Sequence, residues 1–265
     1  MSYQTLYVTE MDRVVTVTLN RPERRNALNP QMIDELIGVI DALAGRSSGV
    51  MILTGRGSAF CAGLDLEHLK SLTGKTQMEH HEDSRRIARL FRSLYDLPLP
   101  TIAAVNGHAI AGGMGLATIC DFTLAVPEAK FGYTEARIGF VPALVASFLS
   151  LQVGEKKTRD LLLTARLMHA EEAMQMGLVN EVVSDSSLIS RARQLAHQLL
   201  QNSPESLRAT KKLLSSHAKE QLDRELAAAI ESNSAARGTA DFYEGISAFL
   251  EKRTPNWHPH KPEKA

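Results

Sequence analysis

Apolar, β-branched runs alternate along the first half of the chain with stretches whose apolar positions recur every three or four residues. Residues 14–19, reading VVTVTL, stop at Asn20-Arg21-Pro22, a turn signal. Residues 50–54 stop at Gly55, residues 101–105 at Asn106-Gly107, and residues 121–126 at Pro127. Each run is too short for a stable isolated helix and rich in strand formers, so each predicts a buried strand. Between them, Asn29 is placed to cap a helix opening on Pro30, with Met32, Leu36, Val39, Ile40 and Leu43 near one face. Residues 82–95 repeat the pattern through Ile87, Leu90, Phe91 and Leu94. Strand–helix alternation predicts an α/β core.

From about residue 155 the pattern is mostly helical. Ser203-Pro204-Glu205 combines a cap, a first-turn proline and a first-turn acid, and further helices are expected over 219–236 and 241–251. The polar segment 71–84 has no strong period and predicts a loop, either bordering a site or simply solvated. Residues 1–199 therefore read as the core and 200–265 as a C-terminal helical region. Leu207, Leu213, Leu214, Leu222, Leu226 and Ile230 exceed what a peripheral helical layer needs for its own core, which points to subunit assembly. The tail 251–265 carries Lys252, Arg253, Lys261 and Lys264 against Glu251 and Glu263 and reads as solvated.

Composition narrows the classes. A chain of 265 residues can bury a full core as one large domain, or one domain with a helical appendage. Thirty Lys+Arg against thirty Asp+Glu leave no basic excess, which argues against a nucleic-acid partner held by phosphate neutralisation. Two cysteines exclude a disulfide scaffold and suit a reducing compartment. Residues 1–20 contain Glu10, Asp12 and Arg13 and lack an apolar signal core. The longest apolar runs, about eight residues, fall short of a bilayer span, so a soluble cytoplasmic protein with no membrane partner is expected.

Two glycine-rich stretches follow predicted strands: residues 55–65, GRGSAFCAGLD, and residues 106–115, NGHAIAGGMG. The second has Gly113-Met114 where a P-loop needs Lys-Ser/Thr, and the first has Phe60 where a dinucleotide fingerprint needs glycine. Two uses remain: amides aimed at an oxygen, as in an oxyanion hole, or tight turns serving packing. His80-His81 and His258-Pro259-His260 lack a nearby ligand set, so no metal is expected. Cys61 and Cys120, flanked by small or apolar residues, read as core, and no Gly-x-Ser-x-Gly elbow is present.

Six segments in order resemble the crotonase (enoyl-CoA hydratase/isomerase) superfamily. Residues 58–66 resemble its first oxyanion motif and 106–114 its second. Residues 20–22 with 25–29 resemble its opening CoA-contacting turn, and 129–139 its segment with a catalytic glutamate. Residues 170–173 with 177–180 resemble its later Glu-Ala…Gly-Leu-Val pattern, and 242–253 its closing helix.

The resemblance implies a ββα spiral core and a C-terminal helical trimerisation region, forming homotrimers or dimers of trimers. It implies an acyl-CoA thioester substrate, with CoA part of the substrate and no separate cofactor. The thioester oxygen would lie between the amides of Leu64 and Gly112. Leu64 is bulkier than the alanine common there. Glu135 matches the catalytic acid/base; its alternative use is an ion pair with Arg137 or Lys130. Ala27, Ala62, Asp65 and Gly113 match substrate-binding positions, and Arg25, Phe249 and Lys252 match positions near CoA. Arg25 also reads as a solvated arginine and Phe249 as helix packing.

The family's second glutamate matches Gly115 here. A lone carboxylate suffices to move a proton from C2 to C4, so an enoyl-CoA isomerase is the expectation. Hydration by Glu135 alone, a non-catalytic CoA-binding paralogue, and a hydrolase using Ser147 are the alternatives.

Overall fold

The structure, a computed structural model, describes residues 3–257. Strands β1 (Leu6–Met11) and β2 (Val14–Leu19) form an antiparallel hairpin turning through Asp12 and Arg13, both at positive φ. Apart from Leu6, β1 is not buried, so it has no core-strand pattern to read in sequence. Helix α1 (Pro30–Ala44) opens as expected: Asn29 Oδ1 accepts from the Met32 amide at 2.9 Å, and the predicted apolar face is buried.

The chain then winds. It runs β3 (Val50–Gly55), β4 (Ala59–Cys61), α2 (Leu66–Ser71) and α3 (Gln77–Asp96), then β5 (Thr101–Val105), β6 (His108–Ile110) and α4 (Gly112–Ile119). The next turn is β7 (Phe122–Ala125), β8 (Lys130–Gly132) and α5 (Ala143–Thr164). After β9 (Met168–His169), α6 (Ala170–Gln175), β10 (Glu181–Val182) and α7 (Asp185–Leu200) come α8 (Pro204–Ala236) and α9 (Ala240–Leu250). One sheet has the order β1-β2-β3-β5-β7-β10, the other β4-β6-β8-β9. Each ββα turn thus adds one parallel strand to each sheet, β3, β5 and β7 to the first and β4, β6 and β8 to the second. This is the expected α/β spiral. It brings the segments that follow β4, β6 and β8 to one place, and those segments carry the two glycine motifs and Glu135.

Two helical boundaries differ from expectation. The polar segment 71–84 is mostly not a loop: α3 begins at Gln77, where Thr76 and Glu79 form a reciprocal capping box. Its first turns are polar on the outside, and the buried members are His80, Asp83 and Ser84, which a hydrophobic period does not register. The region after Ser203, whose hydroxyl accepts from the Ser206 amide, is one 33-residue helix rather than two.

Leu222 and Leu226 are buried and Ile230 packs against the main core, where α8 crosses α3 and α5. These three therefore serve the chain's own interior, whereas Leu213 and Leu214 are exposed. The main core thus continues past residue 200 into α8. A second, smaller core joins α2, α9 and the end of α8 through Leu69, Leu72, Ala236, Phe242 and Ile246, with Phe140. His258, His260, Lys261, Glu263 and Lys264 lie outside the described residues. Among the described residues, no helix is long and apolar enough to cross a membrane.

Candidate active site

Both glycine motifs meet at one end of α4. Gly63, at φ +90°, lies against Ala111 and Gly112: a Cβ built on it comes within 3.5 Å of the Gly112 nitrogen. Leu28 donates to Gly63 O and accepts from Asp65 N, so the Leu64 amide points away from that ladder. Ala111 precedes Gly112 at φ 53°, ψ −126°, a strained setting for a non-glycine residue that costs on the order of 1–3 kcal/mol. Its amide is anchored to Gly132 O at 2.7 Å. Among the described hydrogen bonds, neither the Leu64 nor the Gly112 amide has an acceptor. Gly112 also begins α4, whose dipole favours negative charge at that end.

Both Leu64 and Gly112 line a cavity of about 230 Å³ with Arg25, Ala62, Phe91, Glu135, Val145 and Phe249 among its walls. The cavity lies between the two cores: Leu69 and Phe140 belong to the smaller one, Ile87, Phe91, Leu144 and Val145 to the larger. A larger, open groove of about 930 Å³ lies between the end of α3 and the start of α8, but it contains neither glycine motif nor Glu135. The sequence-predicted groups Leu64, Gly112 and Glu135 thus meet in the smaller cavity.

Glu135 starts a 3-10 turn, Glu135–Ile138, just after β8. The turn is held by α9 through backbone contact. A Cβ on Gly139 would collide with the Asp241 carbonyl, and one on Gly245 with the Ile138 backbone. Glu135 is buried, its Oε2 has no hydrogen-bond partner among the described residues, and burial pushes its carboxyl up to about 7. No ion pair links it to Arg137 or Lys130 among the described residues.

The other sequence-predicted positions divide. Ala27 is buried beside the Arg25 turn, and Arg25 itself, at positive φ, is exposed at the cavity. The Asp65 carboxylate is already engaged: it caps α2 and pairs with Arg21 at 2.9 Å, so it holds the motif in place instead of facing the cavity. Gly113 is a packing glycine, since a Cβ there would strike the Cys61 carbonyl. Phe249 lines the cavity although 56% exposed, whereas Lys252 is exposed and outside its walls.

Cys61 and Cys120 are buried thiols pushed up to about 12 by burial, unsuited to nucleophilic work. Ser147 is buried in α5 and does not line the cavity. His80 bonds the Leu72 carbonyl and His81 pairs with Glu231. Several lining residues carried no sequence signal as site residues, among them Phe91, Thr134, Phe140, Val145 and Asn233.

A cavity that joins two unpaired amides to a buried carboxyl shifted towards neutrality is equipped for proton transfer beside a carbonyl whose oxygen takes up charge. A sequence profile described as enoyl-CoA hydratase/isomerase matches residues 9–260. A Thermus thermophilus protein provisionally named an enoyl-CoA hydratase is 45% identical over 249 residues, 94% of this chain and 98% of that one. The 2,3-dehydroadipyl-CoA hydratase of Escherichia coli is 35% identical, covering 95% of this chain and 98% of its own. The crystal structure of an enoyl-CoA hydratase from Mycobacterium avium subsp. paratuberculosis superposes with a TM-score of 0.87 at 27% identity, covering 97% of this chain and 100% of that one. The chain belongs to the enoyl-CoA hydratase/isomerase family of the crotonase superfamily.

Proposed function

We propose that the cavity binds an enoyl-CoA thioester and that Glu135, as the single acid/base group, shifts its double bond through an enolate. The Glu135 carboxylate takes the C2 proton of a 3-enoyl thioester, and the C–H electron pair forms the enolate. The charge on the thioester oxygen is stabilised by the Leu64 and Gly112 amides, a single such donor typically contributing about 2.7–4 kcal/mol. The enolate then collapses: the C3–C4 double bond takes the proton from Glu135 at C4, and the product is the 2-enoyl thioester. Glu135 ends as it began, and no second acid is needed.

The observation that carries this reading is the packing around Gly115. A Cβ on Gly115 would sit 2.7 Å from Val145 Cγ1 and 3.4 Å from Phe91 Cζ. Where the family pattern has a second glutamate, this chain has apolar packing from Val145 and Phe91. The second reading, hydration by Glu135 alone, is favoured by the hydratase names of the relatives. Panels of 2-enoyl-CoA and 3-enoyl-CoA substrates, with hydration and isomerisation followed separately, decide between them; faster hydration overturns isomerase as the lead.

The same assay tests the wall. Gly115→Glu alone collides with Val145, so the informative variant is Gly115→Glu with Val145→Ala. Its hydration-to-isomerisation ratio is expected to rise, by up to about 10²-fold if the new carboxylate activates water. An unchanged ratio in a folded, substrate-binding variant removes this explanation.

The family resemblance also makes a homotrimer, or a dimer of trimers, our reading of the assembly, with Leu213 and Leu214 as exposed apolar positions on α8 that favour it. A sedimentation mass of one 29.1 kDa chain at micromolar concentration would overturn it.

A further inference from the structure

The cavity walls are apolar with few exceptions. Arg25 lies at the surface and Glu135 at the reacting end, but Asn233, from the last turn of α8, is a buried side chain on the wall with no part in the chemistry above. Its orientation is determined by its neighbours. Arg237 Nη2 lies 3.1 Å from Asn233 Oδ1, and a guanidinium only donates. The oxygen of the amide must therefore face Arg237, and Ser84 Oγ approaches the same oxygen at 2.9 Å. The NH₂ group is left on the other side, where its one protein partner among the described hydrogen bonds is the Val141 carbonyl, at a long 3.4 Å. Val141 is itself a cavity wall. An NH₂ group carries two donors, so at least one is unclaimed by the protein.

Helix α3 gives a scale for the separation between this donor and the oxyanion end of the cavity. Phe91 abuts the oxyanion end, 3.6 Å from where a Gly112 Cβ would lie. Ile87 lines the wall one turn earlier, and Ser84, which holds Asn233, lies seven residues before Phe91. At 1.5 Å per residue that is about 10 Å along the helix axis. This separation sets the donor apart from the carbonyl end of the cavity, and the proposal takes the acyl chain to run towards it.

We propose that Asn233 is a specificity-determining residue whose amide NH₂ receives an oxygen acceptor on the distal part of the acyl chain, so that the preferred substrates are oxygen-bearing acyl-CoA thioesters rather than plain alkyl ones. The proposal rests on reading the cavity as the acyl-CoA pocket. The physical basis is the cost of a plain chain: it would bury an amide donor against methylenes, whereas a keto or other acceptor oxygen satisfies it. Discrimination by buried polar groups of this kind is stronger than discrimination by methylene count.

The test uses two saturated, unreactive acyl-CoA ligands of equal chain length, one ending in methyl and one carrying a distal keto oxygen, with Kd measured by calorimetry. Wild type is expected to bind the keto ligand on the order of 10-fold more tightly. Asn233→Asp keeps an oxygen for Arg237 and Ser84 but replaces the donor with an acceptor. It is expected to abolish the preference, read as the ratio of the two Kd values within the variant. Equal affinities of wild type for the two ligands overturn the proposal, whether or not the variant folds. A preference that survives Asn233→Asp overturns it as well. Failure of wild type to bind either ligand overturns the acyl-CoA reading of the cavity together with the proposal, whereas tight but equal binding overturns the role of Asn233 alone.

Discussion

Glu135→Gln is expected to lower kcat on enoyl-CoA by about 10²–10⁴-fold, the usual contribution of a positioned acid/base group. The substitution keeps the size of the side chain and removes only its ability to exchange a proton. Because Glu135 faces a mostly apolar cavity and leans on no ion pair, the variant is expected to fold and to bind acyl-CoA. Wild-type turnover in Glu135→Gln would remove the assignment.

The pH profile follows from the same burial. In isomerisation Glu135 must be ionised before substrate binds, so kcat/KM for a 3-enoyl thioester should rise with pH through about 7 and then level off, the rising limb disappearing in Glu135→Gln. The sign for stability is opposite. A carboxyl whose folded pKa is raised holds its proton longer in the folded state than in the unfolded one. Its contribution is therefore fully present below the ordinary glutamate value of 4.5, which the unfolded chain keeps, and is lost as pH rises towards about 7. Activity and stability thus move against each other across this window, as expected where a buried group is kept for its chemistry.

The division between what is legible in the chain and what is not has a physical source. Strands β3, β5 and β7 are largely buried runs because parallel strands covered on both faces have no polar side to show, whereas β2, antiparallel to β1 on one edge, has half-buried Thr16 and Thr18 among its buried residues. Strands β4, β6 and β8 have only three residues each and follow glycine or proline turns, too short for any period to emerge. The oxyanion amides were recognisable only through motif resemblance, since backbone N–H groups have no side-chain signature. On spacing alone the glycines could equally serve packing, and the two differ in the fold: Gly113 packs against Cys61, while Gly112 has no such collision. The cavity wall formed by Phe91, Val145 and Asn233 was the least visible part. Phe91 reads as one more core position of α3, Val145 as part of an apolar run, and Asn233 as a polar residue of a long helix; their meeting depends on contacts between elements far apart in sequence.

Asp83→Ala is expected to cost about 3–5 kcal/mol of unfolding free energy, because it leaves a buried cation without its counterion. Arg237, at the end of α8, is fully buried. Its Nη1 donates to Asp83 Oδ2 at 2.6 Å, and its guanidinium lies 5.7 Å from the centre of the Phe140 ring. Burial pushes its pKa down and Asp83 pulls it back up. The other Asp83 oxygen meets His68 Nε2 at 2.8 Å, so one carboxylate ties α8 and α2 to α3. Burial alone would raise the Asp83 carboxyl, but His68 and Arg237 together hold it below the ordinary carboxylate value. Its share of stability is therefore present above the unfolded pKa and lost as acid drives pH down through the folded one. Asp83→Leu combined with Arg237→Met is expected to recover much of the loss, since replacing both partners removes the uncompensated charge as well as the pair. Denaturant unfolding of the single and double variants measures the difference; equal losses would mean that Arg237 is not the cause. Activity provides a second readout. Leu66 and Leu69 of α2 line the cavity, and His68 between them is what Asp83 holds. Loosening that wall should raise KM more than it lowers kcat, because the amides of Leu64 and Gly112 and the Glu135 turn rest on other contacts.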